Sequence, residues 1–379
     1  MLPNLIVDLS DFEIVEKLGE GGNGRVLLIQ EKQTDKFFAA KVTKFKCDTQ
    51  QQQKQFFSEL SAYIKVKHPA ILSLYGFNMK DFEQEEYPTI IMEYMPEGSL
   101  DEVINNESEL SFANKYIILL GIAEGMQYLH EHNIIHRDLK PGNILLDEKL
   151  YPYICDFGLS KISDLSASSI LADSNVGTPL YMAPEIFLDK PYTYKVDVFS
   201  FSILAYEIIS GKKPYPQAKT VYNLQYSVKN GKRPDLTVIK DHEIKELLTA
   251  CWSLDPDKRP TFKEIIAEIK KESFKEAMNV NDDDEVKKYI HYVENCSSRD
   301  EMIENEEIDS SLYYKMKADK GDLKFILKYT KFLQNEKNKE EESAHYYKMA
   351  ADKGDEAAAS FYASLLYKGI GVKVNKSEA

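Results

Sequence analysis

The sequence predicts an α+β fold with strands gathered in its first part and helices in its second, followed by an all-α helical-repeat segment. Three observations predict it. Five short runs rich in β-branched and aromatic residues, at 12–18, 25–29, 38–42, 71–75 and 89–93, surround one amphipathic helical pattern at 50–66. Ser111 can cap a long helix to about Glu131, in which Ile117, Leu120, Met126 and Leu129 recur at helical spacing. Finally, Tyr313-Tyr-Lys-Met-Lys-Ala-Asp-Lys-Gly-Asp322 returns as Tyr346-Tyr-Lys-Met-Ala-Ala-Asp-Lys-Gly-Asp355, nine identities in ten at an offset of 33, close to helix-hairpin repeat periods.

With 379 residues the chain has room for two or three domains, each with a core of its own. Its net charge of −14 argues against non-specific binding to nucleic acid or anionic membrane. The charge is uneven: residues 274–309 carry 12 acids and 4 bases, net −8, whereas 310–379 carry 10 acids and 13 bases, net +3. An acidic connector is therefore expected at 274–309, with a short helix near Tyr289–Val293. Cys47, Cys155, Cys251 and Cys296 form no C-x-x-C pair, which fits reduced thiols. The first residues lack a signal-peptide pattern, and no apolar run reaches membrane-spanning length. A cytoplasmic protein with no nucleic-acid partner and no membrane span is expected.

The motifs come in order along the chain. Gly19-Glu20-Gly21-Gly22-Asn23-Gly24 joins the first two strand runs, and glycines there let backbone amides approach phosphates. A dinucleotide-binding loop of similar pattern opens a helix, whereas here a strand follows, with Val26 completing G-x-G-x-x-G-x-V. Lys41 lies in the third strand run, and Glu59 is the one acid on the apolar face of the 50–66 helix. His136-Arg-Asp-Leu-Lys-Pro-Gly-Asn143 stands between the long helix and the run Ile144-Leu-Leu146. Asp156-Phe-Gly158 follows the strand 153–155, a serine-rich stretch follows that, and Ala183-Pro-Glu185 closes the set.

Jointly these motifs resemble those of protein kinases over Asp11 to Lys271, and Cys251-Trp252 with Arg259-Pro-Thr-Phe262 resembles the tyrosine-kinase-like group. The resemblance implies a bilobal protein-kinase fold at 11–273, with a β-rich N-lobe to about residue 95 and an α-rich C-lobe beyond. It implies ATP with Mg2+ or Mn2+ as cofactors. Asp138 becomes the base toward a substrate hydroxyl, Lys140 the cation at the transferring phosphoryl group, and Asn143 and Asp156 the metal ligands. Lys41, paired with Glu59, holds the α/β-phosphates. The nucleotide cradle comprises Gly19, Glu20, Gly21, Gly22, Asn23, Gly24, Val26, Ala39, Met92, Glu93, Met95 and Leu145. Met92 would flank the adenine and Glu93–Met95 would form the hinge. Asn23 departs from the aromatic usual at that loop tip. His136 is implied to pack inside, Asp197 to brace the loop, and Arg259 to pair with Glu185.

Lys140 and Gly177-Thr178 are similar to the Ser/Thr-specific pattern, Thr178 contacting the base and Lys140, so protein substrates with Ser/Thr acceptors are expected, with dual specificity as a variant. Arg137 could pair with a phosphate on Ser166, Ser168, Ser169 or Ser174. At 310–379, Gly354-Asp355 and Tyr367-Lys-Gly369-Ile-Gly371 resemble Sel-one-like repeats, with the first copy degenerate. Such units bury their faces against stacked neighbours, so a truncated array and a protein partner on the repeats are expected. The alternative is a catalytically weak pseudokinase acting as a scaffold through its repeats; retention of Lys41, Asp138, Asn143 and Asp156 weighs against it.

Overall fold

Five antiparallel strands in the order β1-β2-β3-β5-β4 form the N-terminal sheet of the computed structural model: β1 (Phe12–Gly21), β2 (Gly24–Glu31), β3 (Phe37–Thr43), β4 (Leu74–Asn78) and β5 (Thr89–Glu93). The structure describes residues 5–21, 24–105, 110–162, 178–188, 190–280, 284–297, 314–315, 318–319, 321–334 and 339–375. It falls into two units, Met1–Asn305 and Glu306–Ala379, each described by itself.

Alternation along the strands sorts the side chains of this sheet. Leu27, Ile29, Phe38, Ala40 and Val42 join Phe12 and Ile91 in one core on its outer face. Val26, Ala39 and Lys41 consequently point the other way, and Val26 pairs with Lys41 in the β2–β3 register. Helix α1 (Gln50–Lys65) starts on a capping box made by Thr49 and Gln52. It buries Phe56, Phe57, Leu60 and Tyr63, whose spacing of three and four keeps them on one face.

The fourth strand differs from expectation, beginning at Leu74 rather than Ile71. The apolar run at Ile71 is used elsewhere. Leu72 N–H donates to Ile154 O at 3.0 Å and Ile154 N–H to Ala70 O at 2.9 Å, which ties the N-lobe to β8 (Pro152–Ile154) of the following lobe.

That following lobe is helical. Its main elements are α2 (Leu100–Asn105), α3 (Phe112–Glu131), α4 (Pro184–Phe187), α5 (Lys195–Ser210), α6 (Val221–Lys229), α7 (His242–Cys251), α8 (Phe262–Ile269) and α9 (Glu272–Ala277). Ser111 caps α3 by accepting from Asn114 N–H. Helix α5 is buried on all sides from Val196 to Ile208, as its nearly continuous apolar sequence requires. Short strands β6 (Ile134–Ile135), β7 (Ile144–Leu146) and β9 (Lys161–Ile162) complete two small hairpin pairs, β6 with β9 and β7 with β8.

Within the connector expected at 274–309, the short helix expected near Tyr289–Val293 is the longer α10 (Asp284–Ser297), packed on α3. Val286 and Tyr289 are fully buried. Gly121 of α3 leaves the room for this: a Cβ there would lie 2.3 Å from the Tyr289 hydroxyl and 2.5 Å from Pro152. Tyr292 and Tyr153 share a hydrogen bond of 3.0 Å between hydroxyls. Asp284, Glu285, Lys287 and Lys288 lie on the solvated side of this helix, and its apolar and aromatic residues dock the other.

In the second unit, α11 (Leu323–Leu333), α12 (Glu340–Asp352) and α13 (Glu356–Lys368) surround Ile326, Tyr329, Leu333, Tyr346, Tyr347, Ala350 and Ala358. The repeated Gly-Asp has one structural job in both copies. Gly321 and Gly354 take left-handed φ values of 82° and 90°, and Asp322 and Asp355 then cap α11 and α13.

Candidate active site

Between the sheet and the helical lobe lies a cavity of about 450 Å³, a size suited to a small organic ligand. Its roof is the β1–β2 hairpin. Gly24 has φ 141°, and a Cβ there would sit 2.0 Å from Val42 O, so only glycine closes this hairpin. At Gly19 and Gly21 the opposite holds: a Cβ would meet no protein atom within 4 Å, leaving backbone open toward the cavity. Glu20 corrects the expected cradle. Lying between two cavity-lining glycines, it points outward by strand alternation and its carboxylate takes a bond of 2.7 Å from Lys17. Gly22 and Asn23 lie outside the described residues.

At the back of the cavity Lys41 Nζ bonds Glu59 Oε1 at 2.6 Å and Asp156 Oδ1 at 2.8 Å. Burial works against the ammonium, but the two carboxylates more than offset it and hold its pKa well above the ordinary lysine value. Asp156 is likewise penalised by burial, yet Lys41 brings it below the usual carboxylate range. Burial, then the neighbouring Asp156, pushes the Cys155 thiol up to about 12, which makes it a packed apolar group.

The loop from His136 to Asn143 is held from beneath. Arg137 has φ 67°, a costly conformation for a side-chain-bearing residue. Fully buried Asp197 of α5 stabilises it, accepting from His136 N–H at 3.0 Å and Arg137 N–H at 2.9 Å, with His130 Nε2 at 2.8 Å. Burial disfavours that carboxylate, but His130 and the loop donors leave its pKa lowered. His136 is fully buried, its Nε2 3.1 Å from Cys155 O and its ring against Phe157. The Arg137 guanidinium reaches Leu159 O and the Tyr192 hydroxyl. Ser160 is buried and bonded to Phe157 O, and the candidate phosphoserines at 166, 168, 169 and 174 lie outside the described residues.

Above this base sits the reactive set. Asp138 Oδ1 accepts from Thr178 N–H at 2.7 Å, and its Oδ2 from Lys140 Nζ at 2.6 Å and Asn143 Nδ2 at 3.0 Å. Lys140 Nζ also bonds Thr178 Oγ1 at 2.8 Å. Because Asn143 Nδ2 donates to Asp138, its carbonyl oxygen is turned away from that carboxylate. Together with the Asp156 carboxylate it provides hard oxygen donors of the kind a Mg2+-sized cation takes alongside phosphate oxygens. Among the described residues no group of three or more His, Cys, Asp or Glu could hold a metal by itself.

Of the residues expected around a nucleotide, Gly19, Gly21, Gly24, Val26, Ala39, Lys41, Met92, Glu93, Met95, Asn143, Leu145 and Asp156 line the cavity. The sequence reading missed Leu72, Gly98, Ser99 and Glu102, which carry no local signal. Tyr63 was missed as a lining residue too, although its spacing of four from Glu59 puts the two on one side of α1. The expected ion pair of Arg259 with Glu185 is present, at 2.6 and 2.9 Å.

A β-sheet lobe thus stands over a helical lobe, with an ion-paired lysine and a braced Asp-Lys-Asn loop around one cavity. Residues 12–269 match the protein kinase domain family. The chain belongs to that family. A probable serine/threonine-protein kinase of Dictyostelium discoideum is 33% identical over 262 residues, covering 69% of this chain and 28% of its own length. Mitogen-activated protein kinase kinase kinase 7 of Drosophila melanogaster is 32% identical over 266 residues, 69% of this chain and 37% of that protein. Serine/threonine/tyrosine-protein kinase HT1 of Arabidopsis thaliana is 32% identical over 269 residues, 70% of this chain and 67% of that protein. This chain thus spans well under half the length of the first two. Among the described residues no helix is long and apolar enough to cross a membrane.

Proposed function

We propose that this chain is an ATP-dependent protein kinase of the tyrosine-kinase-like group that phosphorylates serine or threonine hydroxyls of protein substrates. The observation that carries the reading is Lys140 Nζ bonded to both Asp138 and Thr178, with Thr178 N–H on the same Asp138. A hydroxyl brought to Asp138 would find a carboxylate held in place to accept its proton. Lys140 stands beside it to meet the charge developing on the transferred phosphoryl group. Lys41 would hold the α/β-phosphates, and the open backbone at Gly19 and Gly21 would cover them. Asn143 and Asp156 would hold Mg2+ or Mn2+, which when bound neutralises phosphate charge. Met92 and the stretch Glu93–Met95 would bound the adenine. Among relatives, the name of HT1 includes tyrosine as well as serine and threonine, which keeps dual specificity within the proposal.

The C-terminal helices are proposed as Sel-one-like repeats that bind a protein partner, in a cytoplasmic setting. What supports this is the shared Gly-Asp turn in both copies, with an apolar core between the helices. The test is transfer from labelled ATP to a generic acceptor protein, followed by phosphoamino-acid analysis. Asp138→Asn should lower the rate about 10²–10⁴-fold. A wild-type rate no higher than the mutant's would refute the enzyme and leave a scaffold.

A further inference from the structure

Helix α1 holds Asp156 by two side chains one turn apart. Glu59 acts through Lys41, which bonds Asp156 Oδ1. Tyr63 acts directly, its hydroxyl accepting Asp156 N–H at 2.9 Å. The second bond bears on an unusual backbone. Asp156 has φ 66° and ψ 73°, a left-handed conformation that a residue with a side chain holds only when its surroundings force it. The Tyr63 ring also packs edge-to-face on Phe157, centroids 4.7 Å apart, and Phe157 rests on His136 at 5.6 Å. Tyr63 is buried, lines the nucleotide cavity and is fixed at both ends.

We propose that the Tyr63 hydroxyl is a positioning group that locks the left-handed backbone of Asp156 and so aims its carboxylate at the bound cation. The ring alone could pack on Phe157; within this side chain it is the hydroxyl that takes the Asp156 N–H. Without it the 2.9 Å bond that holds the Asp156 N–H is lost, and the left-handed backbone is held less firmly against relaxing to an ordinary conformation. Relaxation would swing the carboxylate off its line with Lys41 and Asn143. Lys41 restrains the side chain but not the peptide plane, so the two handles are not interchangeable. The inference rests on the proposed role of Asp156 as a cation ligand.

The test is Tyr63→Phe in the full chain, which removes one oxygen and keeps the ring. Amide hydrogen exchange should show faster exchange at Asp156. Calorimetric titration with ADP should give a Kd close to wild type without Mg2+. With MgCl2 present, the affinity gain seen in the wild type should shrink about 5–20-fold. Phosphate transfer should fall by a similar factor, and the Mg2+ concentration for half-maximal rate should rise. The thermal midpoint should move by only about 2–3 °C, because the ring packing is intact. A residue that merely packed would lower that midpoint and leave the Mg2+ dependence alone. Asp156→Ala serves as the control. If it abolishes the Mg2+ gain while Tyr63→Phe leaves Mg2+ dependence and Asp156 exchange unchanged, this inference falls and the role of Asp156 stands. If Asp156→Ala keeps the full Mg2+ gain, both fall together.

Discussion

Replacing Glu185 by alanine strands a cation inside the helical lobe. Arg259 is fully buried, and its two terminal nitrogens meet the two Glu185 oxygens at 2.6 and 2.9 Å. Its other contacts remain after the substitution: Nε to Ser253 O at 2.9 Å, a terminal nitrogen to Lys195 O at 2.9 Å, and the guanidinium over the Phe199 ring at 5.2 Å. These hold the group in place, so it cannot swing into water. Removing one partner of such a pair costs about 3–5 kcal/mol, the retained carbonyls favouring the lower figure. For a domain of this size, about 2–4 °C of thermal midpoint accompanies each kcal/mol, giving a fall of about 6–12 °C. Thermal unfolding followed by circular dichroism would measure it for wild type, Glu185→Ala, Arg259→Met and the double variant. Because the double variant buries no uncompensated charge, it should be less destabilised than the sum of the singles by about 2 kcal/mol or more. A midpoint for Glu185→Ala within about 2 °C of wild type, or strict additivity in the cycle, would show that the pair does not stabilise the lobe as argued.

Buried against α3, the Tyr289 hydroxyl has no hydrogen-bond partner among the described residues, so Tyr289→Phe should raise stability by up to about 1 kcal/mol. A lowered urea midpoint would contradict that. His68 is partly buried, its Nδ1 accepting Ala70 N–H at 3.1 Å, and desolvation, then His132, pushes its pKa down to about 4. The unfolded side chain titrates near 6.5, so its contribution is complete above that pH and is lost as pH falls toward 4, at up to about 1.4 kcal/mol per pH unit. His68→Gln should remove that part of the slope; equal slopes in urea titrations at pH 4.5 and 6.5 would count against the burial argument.

The sequence by itself marked most of the elements and most of the residues that gather at the cavity. Strand alternation fixed which faces of β2 and β3 meet the core, helical spacing placed Phe56, Phe57, Leu60 and Tyr63 on one side of α1, and ordered motifs marked Lys41, Asp138, Asn143 and Asp156. Such signals are local, because propensity and periodicity act within a few residues. Even Glu20 was readable in principle from alternation, since its neighbours on both sides line the cavity. What only the tertiary structure decided are contacts between residues far apart in the chain. Lys41 and Asp156 are 115 positions apart, Tyr63 and Asp156 are 93, and Arg137 and Asp197 are 60. Residues 274–309 likewise read as an acidic connector from their net charge of −8, with a short helix near Tyr289–Val293. Docking on α3 is set by Val286, Tyr289 and the space left by Gly121, a complementarity that exists only once both helices are in place.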